Sequence, residues 1–139
     1  MRLRVLAISL RYQVLAVING DECPVLDFLT EDDVSTVGVR LGYVRFFEHI
    51  VTNGLGSMPP GWSHEANKQN GIFEFRKGDF RILYFKGIGN QVAICAVVNR
   101  KSSAKVNKQA VHASIAWKMR YQAAHAAGQI ILVSDNETD

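Results

Sequence analysis

Seven of the eight Lys and Arg side chains between positions 76 and 108, Arg76, Lys77, Arg81, Arg100, Lys101, Lys105 and Lys108, group as candidates, and Tyr121 follows a little further on. Their types suit phosphate chemistry on RNA. A guanidinium fork grips a phosphate bidentately and stabilises the extra negative charge of a pentacoordinate transition state, while a lysine or tyrosine can move the proton of a 2′-hydroxyl. Such a route has no need of a metal. Each arginine taken singly is more simply a structural ion-pair partner or a solvated side chain, and only the grouping favours function.

Other chemistries find less support. His49, His64, His112 and His125 share no i, i+4 spacing and have no cysteine companions, so neither a metal site nor any other cofactor is expected. Gly87-Ile88-Gly89 lacks the further glycine and the helix of a nucleotide loop and reads as a turn. Ser102 and Ser103 lack the setting of a nucleophile elbow and read as loop or cap residues. Cys23 and Cys95 stand far apart and suggest neither a disulfide framework nor a metal knuckle.

The elements that must position the basic groups centre on Gly71 to Phe85, GIFEFRKGDFRILYF. Gly78-Asp79 is a two-residue hairpin loop, because glycine takes the positive φ that the first position of a type II′ turn demands. That loop fixes a register in which Lys77 faces Phe80, Arg76 faces Arg81, Phe75 faces Ile82, Glu74 faces Leu83 and Phe73 faces Tyr84. One face then carries Phe73, Phe75, Phe80, Ile82 and Tyr84 and covers a core; the other carries Glu74, Arg76, Arg81 and Leu83. Two arginines directly opposite one another cost within ~0.2–1 kcal/mol unless a carboxylate or an outside anion lies between them. Glu74 is expected to hold Arg76, which leaves Arg81 aimed at phosphate.

Around this hairpin the periodicity predicts strands over Leu3–Ile8 and Tyr12–Ile18, as one long strand or a hairpin, ended by a turn at Asn19-Gly20-Asp21. A helix opening at Pro24 is followed by a second one capped by Thr30 or Asp32-Asp33 and ended by Gly54. Val37, Leu41, Val44, Phe47 (with Phe46) and Ile50 or Val51 recur every three or four residues and form its expected apolar stripe. Residues 53–71 are a Gly-, Pro- and Asn-rich connector containing Trp62, His64 and Lys68, which reads equally as a functional loop or an irregular crossover. Gln91–Val98 is apolar on both faces, like an interior strand. The closing helix is expected from about Lys105 to Ala127, with Val106, Ala110, Ala113, Trp117 and Tyr121 as its stripe, then a short strand over Gln129–Ser134.

A chain of 139 residues, 47% apolar and 21% charged, is expected to fold as one α+β domain over 1–139, with extra N-terminal residues 1–11 and a flexible tail over 128–139. The formal charge of +3 hides an asymmetry, because residues 71–121 hold ten Lys/Arg against two Asp/Glu, a local +8. Such a module attracts phosphate backbones. The basic, apolar start is interrupted at Arg11, too early for an export signal, and no apolar run approaches the ~18 residues of a membrane span. A soluble, cytoplasmic protein with no membrane partner is expected.

The order of elements, with Glu74-Phe75-Arg76, then Phe80-Arg81-Ile82-Leu83-Tyr84, then Val97-Val98-Asn99-Arg100-Lys101, then Ala113 and Tyr121, resembles the RelE/ParE toxin superfamily, nearest its phage-derived, HigB-like branch. The likeness runs from about Tyr12 to Tyr121. It implies a RelE-like fold: an N-terminal strand, a helical hairpin, an antiparallel sheet of three to four further strands and a C-terminal helix. It also implies a toxin of a toxin–antitoxin pair that cleaves mRNA on the ribosome by 2′-hydroxyl attack on the scissile phosphate, with a cognate antitoxin as partner. On this resemblance Arg81 contacts the scissile phosphate, Arg100 or Lys101 is the second basic group, and Tyr121 transfers a proton or stacks. Arg76, Lys77, Lys105 and Lys108 are the expected RNA-binding residues. A non-catalytic binding module of the same fold, gyrase-directed or inactive, is the alternative. The chain departs from the family's K-x-T-P loop, reading Ala104-Lys105-Val106 there.

Overall fold

Apolar alternation at the N-terminus folds into a hairpin of β1 (Arg2–Ile8) and β2 (Gln13–Val17), with a register shift between Val5 and Ala7. Ser9 holds its bend, accepting from the backbone N–H groups of Arg11 and Tyr12 and donating to the Val51 carbonyl at 2.6 Å. The computed structural model describes residues 1–100 and 107–135. The expected loop residues Lys101, Ser102, Ser103 and Lys105, and Val106 of the expected helix stripe, lie outside them.

Pro24 opens the short helix α1 (Pro24–Leu29), and Gly54, at φ 93°, ends the long helix α2 (Val37–Asn53). Only part of the expected α2 stripe is covered: Phe46, Phe47, Ile50 and Val51 are buried, joined by Tyr43, which lay outside it, whereas Val37, Leu41 and Val44 are exposed. The connector 53–71 is more regular than composition suggested, because Ser63–Asn67 forms a strand, β3. Trp62 stacks on Phe46 at 4.0 Å and ties the connector to α2.

The central hairpin is β4 (Ile72–Lys77) and β5 (Phe80–Phe85), in the register that its loop dictates, with Arg76 opposite Arg81. Gly78 has φ 56° and Asp79 does not share the positive φ, as a type II′ turn requires. β6 (Gln91–Arg100) follows, then α3 (Lys108–Ala126) and β7 (Ile131–Val133). The strands form one seven-stranded sheet in the order β3-β4-β5-β6-β2-β1-β7. Antiparallel pairing is interrupted twice, since β2 runs parallel to β6 and β1 parallel to β7. Of the two N-terminal alternatives the hairpin is the one that forms, so the single first strand and three to four further strands implied by the resemblance are too few, and the sheet is mixed. Residues 1–11 supply β1, and 131–133, within the tail expected to be flexible, pair with it.

Helices lie on both faces, which explains why Val14–Val17, Ile82–Phe85 and Ala93–Ala96 are buried without alternation. On one face α1 and α2 pack Val25, Tyr43, Phe47 and Ile50 against Val14, Phe75, Ile82, Tyr84 and Cys95. On the other, Ala110, Val111 and Tyr121 of α3 pack against Leu3, Leu15, Ile72, Leu83, Phe85 and Ile94. Each fully buried large aliphatic is worth ~1.5–3 kcal/mol, so β5, β6 and β2 hold the domain together. The α3 stripe is shifted from expectation, with Val111 and Ser114 inside and Ala113 exposed; buried Ser114 donates to the Ala110 carbonyl at 2.8 Å. Among the described residues, no helix is long and apolar enough to cross a membrane.

Candidate nucleic-acid interface

Alternation decides which basic groups can act together. Arg81 lies opposite Asn99 on β6, whereas Arg100 lies opposite Phe80. Residues one apart on a strand point to opposite faces. Arg81 therefore stands on the α3 side of the sheet and Arg100 on the α1 side, and the expected convergence of the two does not occur.

On the α3 side, Arg76, Arg81 and Asn99 form a transverse row across β4, β5 and β6. Two register positions further along, Glu74 and His64 lie opposite one another on β4 and β3. Glu74 is buried and receives Arg76, whose Nε and Nη2 lie 2.8 Å and 2.7 Å from Oε1. The opposed arginines are thus relieved from within the sheet. Arg81 folds back over the turn, its Nη1 donating to the carbonyls of Gly78 at 2.8 Å and Phe80 at 2.9 Å. Among the described residues, the buried Arg81 Nε has no acceptor and the buried Asn99 Oδ1 has no donor. A group that both donates and accepts, such as water or a hydroxyl, would satisfy the two together.

On the α1 side, Arg100 is 67% exposed, lies 5.2 Å from the Phe80 ring centre and reaches Asp79 at 3.6 Å. An ion pair that open contributes little. Its groove, of about 460 Å³, is floored by Phe28, Phe80 and Val98 and rimmed by Glu22, Asp27 and Glu31, carboxylates that repel phosphate. Lys77 also leaves the arginine row: its stem lies over Gly42 of α2, where an added Cβ would come within 2.6 Å of Cε. Lys108 is exposed at the start of α3, where the Asn107 side chain caps the helix by accepting from the Ala110 N–H at 3.0 Å. Lys101 and Lys105 lie outside the described residues.

Tyr121 is placed apart from these groups. It is buried beside Phe85, at the opposite end of β5 from Arg81, on the order of 14 Å away by strand rise. Its hydroxyl accepts from the Ile88 N–H at 3.0 Å and donates to Gln91 Oε1, pinning the β5–β6 turn. Burial raises its pKa, and the Ile88 bond opposes that only in part. A hydroxyl committed in this way is an anchor, and a role in proton transfer or stacking on RNA does not fit it.

His64 is the group that sequence reasoning passed over. The turn Asn67–Gly71, with Gly71 at φ 65° and Asn67 Oδ1 accepting from the Asn70 N–H, was the available signal that β3 folds back on β4. Among the described residues, no group of three or more His, Cys, Asp or Glu could hold a metal ion. Comparison with protein-family models and with curated proteins finds no match for this chain.

Proposed function

We propose that the α3-side end of the sheet binds single-stranded RNA, and that the chain is a RelE/HigB-like toxin acting on mRNA at the ribosome in the cytoplasm, held in check by an antitoxin. The observation that carries this reading is the transverse row: the buried Arg81 Nε has no acceptor and Asn99 Oδ1, opposite it on β6, no donor among the described residues, while Glu74 neutralises Arg76 next to them. Arg81 supplies the phosphate contact. His64, two register positions away on the same face, takes the 2′-hydroxyl proton as that oxygen attacks the adjacent phosphorus; the bond from phosphorus to the 5′-oxygen breaks, and that oxygen takes a proton from water. The products are a 2′,3′-cyclic phosphate and a 5′-hydroxyl end.

The second reading, a binding module that does not cut, is favoured by the placement of Arg100 and Tyr121 away from the row. Induction of the chain with mapping of mRNA 5′ ends separates the two. Cleavage that disappears in Arg81→Ala and His64→Ala, and persists in Arg100→Ala, supports the toxin reading. Growth arrest without new 5′ ends supports the module.

A further inference from the structure

Away from the basic row, a groove of about 570 Å³ runs between β1 and the pair α1 and α2. Six consecutive residues, Arg4 to Ser9, line it. A strand that shows successive residues to a cavity presents an edge, because its side chains alternate between faces. The pairing agrees, since among the described residues β7 covers the outer edge of β1 only at Arg2, Leu3 and Arg4, and none pairs with that edge at Val5–Ile8. Leu26, Leu29, Val44, Phe47 and Val51 form the apolar part of the far wall, interrupted by Thr30, Glu48 and Thr52. Val37 and Leu41 extend the Val44 stripe along α2, and beside the groove Ile8 is 59% and Leu10 105% exposed. Open strand edges are usually blunted by charge or proline. This one reads Val-Leu-Ala-Ile, with neither.

We propose that this edge and groove hold a second copy of the chain in a two-fold dimer. A second copy carries both the apolar knob at Ile8 and Leu10 and the groove that receives it, which is what an isologous contact demands. Val5–Ile8 pairs antiparallel with itself, and each copy bends away at Ser9–Arg11 before meeting the other's β7. That pairing sets the exposed Arg11 of one copy beside the Asp135 of the other, because Asp135 sits on Arg4 at the end of β7. The two-fold axis stands perpendicular to the joined sheets, so both α2 helices fall on one side and their exposed stripes meet. Four paired residues alone fall short of the ~800 Å² per partner of a standard interface, so the Val37–Leu41–Val44 stripe must contribute. The basic row lies outside the contact, and the inference stands or falls independently of the RNA reading.

Sedimentation equilibrium of the full chain over about 1–100 μM, the range in which a micromolar or tighter dimer is populated, tests it. The wild type should have twice the monomer mass of 15.5 kDa. Leu10→Asp and Leu41→Asp, both at exposed positions, should weaken self-association at least about tenfold while keeping the wild-type circular dichroism. Met119→Asp, equally exposed on α3, should leave the dimer intact. Amides of Val5–Ile8 should exchange more slowly as concentration rises. A wild-type mass of 15.5 kDa throughout, a dimer that survives both aspartates, or equal disruption by Met119→Asp overturns the proposal.

Discussion

At the β4–β5 turn, the two faces of one sheet carry opposite chemistry. On the α3 side, Arg76 and Arg81 stand in a row with Glu74 compensating one of them from a buried position. On the α1 side, Arg100 lies open over Phe80 within a rim of three carboxylates. Asn99 and Arg100 are neighbours in sequence and belong to different surfaces. A local excess of positive charge along a chain therefore does not measure the charge of any one surface, since the pleat divides it.

Removing Arg76 should break the α3 face most severely. Arg76→Ala leaves the buried Glu74 carboxylate without its partner and should cost about 2–3 kcal/mol, below the ~3–5 kcal/mol of a fully buried pair because Arg76 is partly solvated. Urea denaturation measures this, and an unchanged midpoint would mean that Glu74 has another partner. Arg81→Ala should act on binding: affinity for single-stranded RNA falls about tenfold, and the salt dependence flattens by about one phosphate contact. Filter binding at several salt concentrations reports both. Tyr121→Phe removes the hydroxyl that pins the β5–β6 turn and should cost ~1–2 kcal/mol without touching RNA affinity. Loss of RNA cleavage by a fully folded Tyr121→Phe protein would put that residue back in the site. Arg100→Ala is the smallest change, within ~0.5 kcal/mol in stability and less than about twofold in RNA binding, as befits an exposed residue among carboxylates. An effect equal to that of Arg81→Ala would erase the distinction between the faces.

The β4–β5 register was legible in the sequence because a two-residue loop permits little else, and the Arg76–Glu74 pair follows from it. The β5–β6 register was not. Its turn is longer, and the pairing shifts between Leu83 and Tyr84, so which of Asn99 and Arg100 shares a face with Arg81 depends on a bulge that composition does not announce. Strand β3 escaped notice because Ser-His-Glu-Ala-Asn contains no β-branched or aromatic residue; it is a strand because β4 pairs with it. In α2 the periodicity correctly marks an amphipathic helix but counts two apolar stripes as one, and only one of them faces the core. Long-range pairing of β7 with β1 has no local signature at all.

The parallel pairing of β1 with β7 also has a mechanical consequence. Arg2 lies opposite Ile131 and Arg4 opposite Val133, so tension applied between the N-terminal end of β1 and the C-terminal end of β7 draws the two strands past each other along their length. Every rung of that short ladder is then loaded at once, in shear, instead of opening one after another as in a peeled hairpin. A machine that pulls the chain from its C-terminal side meets this clasp before it reaches the β5–β6–β2 core.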